Sequence, residues 1–571
     1  MNRNVESHFA LNPTNIDIRR STFDRSHSLK TSFNVGDIVP FFIDEVLPGD
    51  TFNVDTSKVV RLQTLLTPVM DNIYLDTYYF FVPNRLTWSH WKQFNGENTE
   101  SAWLPQTEYE VPQITAPASG GWSVGTIADY LGVPTGVPNL SVSALPFRAY
   151  ALIMNEWFRD ENLSDPLVVP VDDATVAGVN TGNFVTDVCK GGLPYKAAKY
   201  HDYFTSCLPS PQKGPDVLIP VAEAGNYAVV GNGKGLSLTN GTEIGTFAQS
   251  SSGQPKIYSL SGFHSLPFNG PDTNSLGNAG DAIGVPTASQ LGSDLSNSGL
   301  IAVASGNAAA ATINQLRMAF QIQKLYEKDA RGGSRYIEIL KSHFGVTSPD
   351  ARLQRPEYLG GNRVPININQ VVQQSATASG ATAQGTVTGM SVTTDTHSDF
   401  TKSFTEHGFV IGVMVARYDH TYQQGLERFW SRKDRFDYYW PVFANIGEQA
   451  VKNKEIYAQG PAKKDSAGNV IDDQVFGYQE AWADYRYKPS RVTGEMRSQY
   501  AQSLDVWHLA DDYSALPMLS DSWIREDKTN VDRVLAVTSS VSNQLFADIY
   551  IKNRTTRPMP MYSIPGLIDH H

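Results

Sequence analysis

Ile38–Trp91 reads IVPFFIDEVLPGDTFNVDTSKVVRLQTLLTPVMDNIYLDTYYFFVPNRLTWSHW. Its centre, Ile73 to Val82, is β-branched and aromatic, interrupted only by Asp76 and Thr77 and stopped by Pro83-Asn84. Such enrichment, bounded by turn residues, predicts a strand. A second run, Val35 to Val46, ends in Leu47-Pro48-Gly49-Asp50, which has the composition of a tight turn. Both runs are aromatic on both parities, so both faces of these strands should be covered. The stretch reads as half of an antiparallel sandwich on which the rest of the chain is built.

The remainder allows that reading. Of 571 residues, 41% are hydrophobic and 11% aromatic, enough for a large core, and Gly 45 with Pro 32 favours turns over long helices. Length alone suggests several domains, but β architectures often hang long loops on one core. Basic residues number 46 against 58 acidic, a balance of −12, which argues against a surface that clasps nucleic acid everywhere while permitting a local basic patch. Cys189 and Cys207 read as inert, reduced thiols. The polar N-terminus lacks a signal-peptide core, and no apolar run approaches the ~20 residues of a membrane span, so a soluble protein is expected.

Residues 1–30 carry Arg3, Arg19, Arg20, Arg25 and Lys30 and read as a basic arm rather than a packed layer. Such cations would bind phosphates through counterion release, without base specificity. Thr87 is placed to cap a short helix bearing Trp88, Trp91 and Phe94. Ser143–Leu163 is the clearest amphipathic helix: Phe147, Tyr150, Ala151, Met154, Trp157 and Phe158 form one stripe, with Pro146 in the first turn. Residues 214–310 hold 16 of the 45 glycines but only Lys234 and Lys256 among basic residues, so they read as a long insertion with little core of its own. Its GNGKG lacks the spacing of a phosphate loop.

Thr312 and Gln315 have capping-box spacing, and the helix they open should stop at Gly332-Gly333. Ile313/Leu316/Phe320 and Met318/Ile322/Leu325 give it two apolar sides, which suggests clamping between layers or subunits. Residues 371–395 are too poor in apolar bulk to fold alone. Phe409–Tyr418 reads as a strand. The run that follows, to Pro441, is nearly charge-balanced and reads as a salt-bridged contact surface, with Arg428, Arg432 and Arg435 as interface candidates. A late strand over Asp548–Lys552 leads into a tail with Lys552, Arg554 and Arg557 and no local acid.

Of the enzyme signatures, H-E-x-x-H, C-x-x-C and a Walker loop are absent, and the G-x-S-x-G at Gly121–Gly125 follows Pro- and Ser-containing chain rather than the strand a nucleophile elbow needs. His407 and His420, beside Glu406 and Asp419, read as hydrogen-bonded structural histidines. No catalytic, cofactor or metal residue stands out, which favours a structural role. A β-sandwich carbohydrate-binding protein or glycosidase is the alternative.

Long motifs point further: LPGDTF (Leu47–Phe52), PVMDN (Pro68–Asn72), YYFFVPNRLTW (Tyr78–Trp88), LPFRAYALIMNEWFRDENL (Leu145–Leu163), a Lys328–Gly361 block, QQGLERFWSRKDRFDYYWP, Phe476–Ser498 and LDVWHLA (Leu504–Ala510). With these the chain resembles the major capsid proteins of small single-stranded DNA phages, the Microviridae, in their gokushovirus branch. The resemblance spans nearly the whole chain and is weak over 214–310 and 371–395. It implies a mainly β fold, an eight-stranded antiparallel viral jelly roll with long insertions. It also implies a T=1 shell around circular single-stranded DNA, assembled in the host cytoplasm and carried in the virion. The insertion 214–310 would be a threefold protrusion that attaches to the host. Expected partners are copies of the chain, the genome, a small basic DNA-binding capsid protein, an internal scaffolding protein and a host receptor, plausibly carbohydrate. Genome-facing candidates are Arg19, Arg20, Arg25, Lys30, Lys552, Arg554 and Arg557. Tyr227, Phe247, Tyr258, Phe263 and His264 are the groups able to stack on a sugar.

Overall fold

In the computed structural model, residues 19–98, 107–217, 313–375 and 382–562 are described throughout, together with the backbone of short strands between 228 and 303. Met1–Lys213 with Tyr326–His571 form one compact unit, and Gly214–Leu325 a second.

The larger unit is built on β1 (Ser21–Asp24), β2 (His27–Phe33), β3 (Val39–Val46), β4 (Thr51–Leu62) and β5 (Ile73–Pro83), then α1 (Leu145–Ile153). After α2 (Ile313–Gly332) and α3 (Tyr336–Phe344) come β6 (Glu357–Pro365), β7 (Thr393–Ser403), β8 (Gly408–Tyr418) and β9 (Leu545–Arg557). A five-stranded sheet runs β1/β2–β9–β4–β7, with β1 and β2 both pairing β9, and a four-stranded sheet runs β6–β5–β8–β3. Every pairing in both is antiparallel.

Aromatic and β-branched side chains from the two sheets meet in one core: Phe33, Phe52, Val54, Tyr79, Val410 and Ile549 are all fully buried there. The second face of β5 and β8 is covered as well. Phe80, Val82, Ile411 and Val413 pack against Tyr150, Ile153 and Met154 of the α1 segment and against Trp122. This double cover is what aromatics on both parities demanded. Asp76, the polar break in β5, is buried and bound by Arg363 (2.7 Å), Arg417 (2.6 Å) and Tyr200 (2.8 Å). Burial alone would raise its carboxyl, but these donors outweigh it and hold the group below its ordinary value.

Several expectations need correction. Residues 21–33 are strands, not an arm: β9, more than 500 residues away, supplies their hydrogen-bond partners. Residues 1–18 lie outside the described residues. The late strand is longer than 548–552, running to Arg557, and its cations do have acids, contributed by β1, β4 and the 47–50 turn. Val35–Asp37 precede β3 rather than starting it. Thr87 closes a short helix, Asn84–Thr87, instead of capping one; its hydroxyl donates to the Asn84 carbonyl at 3.0 Å. Trp88 and Phe94 still meet, at 5.3 Å between ring centroids. The α1 helix continues as a π-type turn over Met154–Phe158. Ile368–Val372 and Val387–Ser391 form a hairpin, because Leu65 on the core bridges Gly389 and receives the Thr388 hydroxyl at 2.7 Å.

The α2 helix forms as expected and ends before Gly333 in a left-handed conformation (φ +94°); Thr312, its expected cap, lies outside the described residues. The second unit contributes a four-stranded antiparallel meander, Ser237–Thr239, Ile244–Gln249, Pro255–Ser259 and Ser265–Pro267, and pairs Ala228–Gly231 with Leu300–Val303. It spans Gly214–Leu325 and so includes the first part of α2.

Candidate nucleic-acid face and subunit contacts

The two sheets differ in what lies outside them. The β6–β5–β8–β3 sheet is covered by α1 and its loops, whereas the outer face of β9–β4–β7 is left bare by the described residues. The β9 strand alternates strictly between buried and exposed from Leu545 to Arg554. Its exposed residues and their lateral neighbours form rows of hydroxyls and charges. Register sets Arg554 between Asp24 and Asn53, Tyr550 between Ser28 and Ser57, Asp548 between Lys30 and Val59, and Phe546 between Ser32 and Arg61. Strand β7 extends the rows with Thr394, Thr396, Ser398, Thr401 and Ser403. Hydroxyls bond laterally, Thr22 to Thr556 at 2.9 Å and Thr51 to Ser403 at 2.8 Å.

Charges on this face are loosely paired. Lys30 lies 3.7 Å from Asp548 and Lys552 3.5 Å from Asp55, pairs in which every group but the half-buried Asp55 is well exposed, and such contacts hold little free energy. Asp24 sits below its ordinary pKa, chiefly because the Ser26 hydroxyl and amide donate to it, with Arg554 and Lys552 adding their field. Arg61 makes no ion pair among the described residues. Tyr550 and Phe546 are the exposed rings of the β9 face.

The seven residues expected to face the genome divide here. Lys30, Lys552 and Arg554 share the bare face, although the chain separates Lys30 from the others by some five hundred positions. Arg20 reaches the Gly49 carbonyl and Thr51 at its edge, and Arg19 is exposed at the start of the described chain. Arg25 and Arg557 turn inward: Arg25 binds Asp44 at 2.5 Å, and Arg557 binds Asp50 at 3.1 Å and the Glu45 carbonyl at 2.6 Å. Sequence reading missed Arg61, Tyr550 and the hydroxyl rows. The alternation in LFADIYIKNRT was the available signal.

Of the interface candidates, Met318 and Phe320 are exposed and Leu316 and Ile322 partly so; the Ile313 side chain lies outside the described residues. Arg428 pairs within the chain with Glu455 at 3.8 Å, Arg432 with Asp484, and Arg435 stacks on Phe436 at 4.8 Å. Tyr227, Phe263 and His264 lie outside the described residues; the register sets Phe247 opposite Ile257 and Tyr258 opposite Thr246.

Both cysteines are free and buried, and burial raises both thiols. The His420 ring lies between Asp511 and Glu526 as a buried structural group, and His407 packs edge-on against Trp91. No cluster of three potential metal ligands occurs among the described residues, and no described helix is long and apolar enough to cross a membrane.

Comparison with known proteins gives this geometry its setting. Residues 13–567 match the family model described as capsid protein (F protein). Three relatives are each named capsid protein VP1. That of Chlamydia phage 1 is 43% identical, covering 99% of this chain and 98% of its own length. That of Bdellovibrio phage phiMH2K is 42% identical over 99% and 98%, and that of Spiroplasma virus 4 is 42% identical over 96% of each. A full-length match at this identity, on a mainly β chain, means that the protein belongs to the F-type capsid protein family of the Microviridae, in its gokushovirus branch, and its role is structural rather than catalytic.

Proposed function

We propose that copies of this chain close a T=1 shell around circular single-stranded DNA, with the bare β9–β4–β7 face turned to the genome. The asymmetry of the sandwich carries this reading: one sheet is covered by the chain's own helix and loops, while the other presents hydroxyls, Arg61, Lys30, Lys552, Arg554 and an exposed Tyr550. Hydroxyls and cations contact phosphates, and an aromatic ring stacks on any base. The face also carries Asp24, Asp55 and Asp548, so its electrostatic attraction is modest, which supports a small basic protein as co-packager. An internal scaffolding protein and assembly in the host cytoplasm belong to the same reading.

The strand arrangement supports a jelly roll. Strands β1 and β2 occupy one position in succession along β9, so the nine strands of the two sheets fill four positions in each. The Gly214–Leu325 unit, with its glycine-rich sequence, is proposed as the outward protrusion that meets a host receptor, plausibly carbohydrate, and the two apolar sides of α2 as subunit contacts.

Binding of single-stranded DNA to the full-length chain, titrated against salt, tests the genome-facing role. Replacing Arg61, Lys552 and Arg554 together by alanine is expected to flatten the slope of log affinity against log salt by about 2, at roughly 0.7 for each phosphate no longer neutralised. Tyr550→Ala should weaken binding about 5- to 150-fold with the slope preserved, the equivalent of about 1–3 kcal/mol of stacking. An unchanged slope in the triple variant would remove this face from the genome-binding surface.

A further inference from the structure

The segment from Leu426 to Ile446 is inverted relative to an ordinary surface loop. Most of its charges are used inside the chain, with Lys433 and Arg435 left exposed. Glu427 holds Arg491 at 2.6 Å and Lys488 at 3.3 Å. Arg432 pairs with Asp484 and lies 4.3 Å over the Tyr485 ring. Asp437 accepts the backbone N–H groups of Lys433 and Asp434 at 2.8 and 3.0 Å. Its backbone is pinned too: the Trp440 indole donates to the Arg435 carbonyl at 2.9 Å, and the Trp482 indole to the Phe443 carbonyl at 3.1 Å. The rings, by contrast, point to solvent. Trp430 is 67% exposed, Phe436 62%, Trp440 50% and Val442 80%, with Tyr438, Tyr439 and Tyr487 alongside.

At about 150–250 Å² per aromatic side chain, six rings about half exposed present roughly 450–750 Å² of largely apolar surface, to which Val442 adds. A monomer's largest such patch is roughly 300–600 Å², and a stable protein–protein contact takes about 800 Å² from each partner. Because the segment is already held by its own ion pairs and indole hydrogen bonds, little ordering entropy is left to lose on docking.

From this we infer that the Leu426–Ile446 strap is an aromatic contact surface for a second copy of this chain, with Arg428 and Arg432 bracing the strap from within rather than bridging subunits. The inference rests on the shell-building reading and names where copies meet. A polynucleotide is the rival occupant, since exposed rings also stack bases. The strap disfavours it, because Arg428 and Arg432 are committed internally and its exposed cations, Lys433 and Arg435, alternate with Asp434 and Asp437.

Sedimentation of the purified full-length chain over a concentration series is the test, with Trp430→Ser/Phe436→Ser as the variant. Both side chains are half-exposed or more, so the melting midpoint of the variant protomer should match the wild type. Association of the variant is expected to need at least about tenfold higher concentration, as for interface aromatics. Met518→Ser, at a residue 75% exposed elsewhere, should leave it unchanged. Equal association of the double variant, or a wild-type chain that stays monomeric, would overturn the inference. So would normal association with weakened binding of single-stranded DNA, which would assign the rings to the genome. Electron microscopy of wild-type particles separates the two readings. If wild-type shells form and the double variant forms them equally well, only the strap assignment fails; if the wild type builds no shell, the reading beneath it fails.

Discussion

Replacing His420 by alanine is expected to cost the protomer about 3–5 kcal/mol, the usual penalty for removing one partner from a buried ion pair. The His420 ring is 1% exposed, its Nδ1 3.0 Å from Asp511 and its Nε2 3.1 Å from Glu526, and both carboxylates are as deeply buried. Asp511 also accepts from Asn530 at 2.6 Å and from the Tyr513 hydroxyl at 2.7 Å, and Lys199 lies 3.9 Å away. Those donors cannot compensate Glu526, which would be left as an uncovered charge.

The pH dependence of the same site has a definite sign. Burial pushes the ring toward its neutral form, but the two facing carboxylates overcome it and raise its pKa from 6.5 to about 10. A base whose pKa rises on folding stabilises the fold fully below its unfolded value, here below about 6.5, and the contribution fades as pH climbs through about 10, by about 1.4 kcal/mol per pH unit at most. Asp511 is shifted the opposite way, downward, so its contribution is present above the ordinary carboxylate range and is lost as the solution is acidified below it. Denaturant melts of the unassembled protomer at pH 6, 8 and 10 check this. The wild type should weaken steadily across the series, while His420→Ala should be less stable at pH 6 and nearly flat. Parallel wild-type and variant curves would remove His420 as the cause.

Trp122→Ala is the second large effect expected, about 3–5 kcal/mol for emptying a fully buried indole. The side chain is 0% exposed, stacks on Phe147 at 5.9 Å between centroids with planes 19° apart, and belongs to the cluster that covers β5 and β8. Two glycines make its room: a Cβ on Gly178 would lie 2.6 Å from the indole Cζ2, and one on Gly191, held at φ +75°, 2.9 Å from Nε1. The Phe147 ring and the closely apposed backbone at Gly178 and Gly191 line the space it would leave, so the loss is that of a close-packed site left as a cavity. Limited proteolysis should show the 107–197 cover opening first, with the β1/β2–β9–β4–β7 sheet resistant. Gly178→Ala should destabilise in the same region by overpacking. Wild-type resistance in Trp122→Ala would show that the cover is held by other packing.

Much of the architecture was legible because its signals are local. Periodicity and composition identified β5, β8 and α2 close to their true limits but ran α1 on to Leu163, well past its end at Ile153 and the π-type turn that follows. Histidine neighbours already suggested that His420 is structural. What escaped the sequence was non-local. The chain 19–30 looks like a polar arm because its hydrogen-bond partner is β9, at the other end of the molecule. The tail cations appeared unpaired because Asp24, Asp50 and Asp55 arrive from distant strands. The charge-balanced run after β8 looked like an ionic contact surface because local order cannot say which groups turn inward; Glu455, Asp484, Lys488 and Arg491 answer its charges and leave its rings outside.

Hydrophobic period, turn chemistry and extended motifs are written along the backbone, and they suffice for the β character of the chain, its long insertion and its capsid-family membership. Which sheet stays bare, and which cations share it, is settled only when the chain has folded. Strand pairing brings residues together irrespective of their separation in the chain, and burial selects one face of each strand.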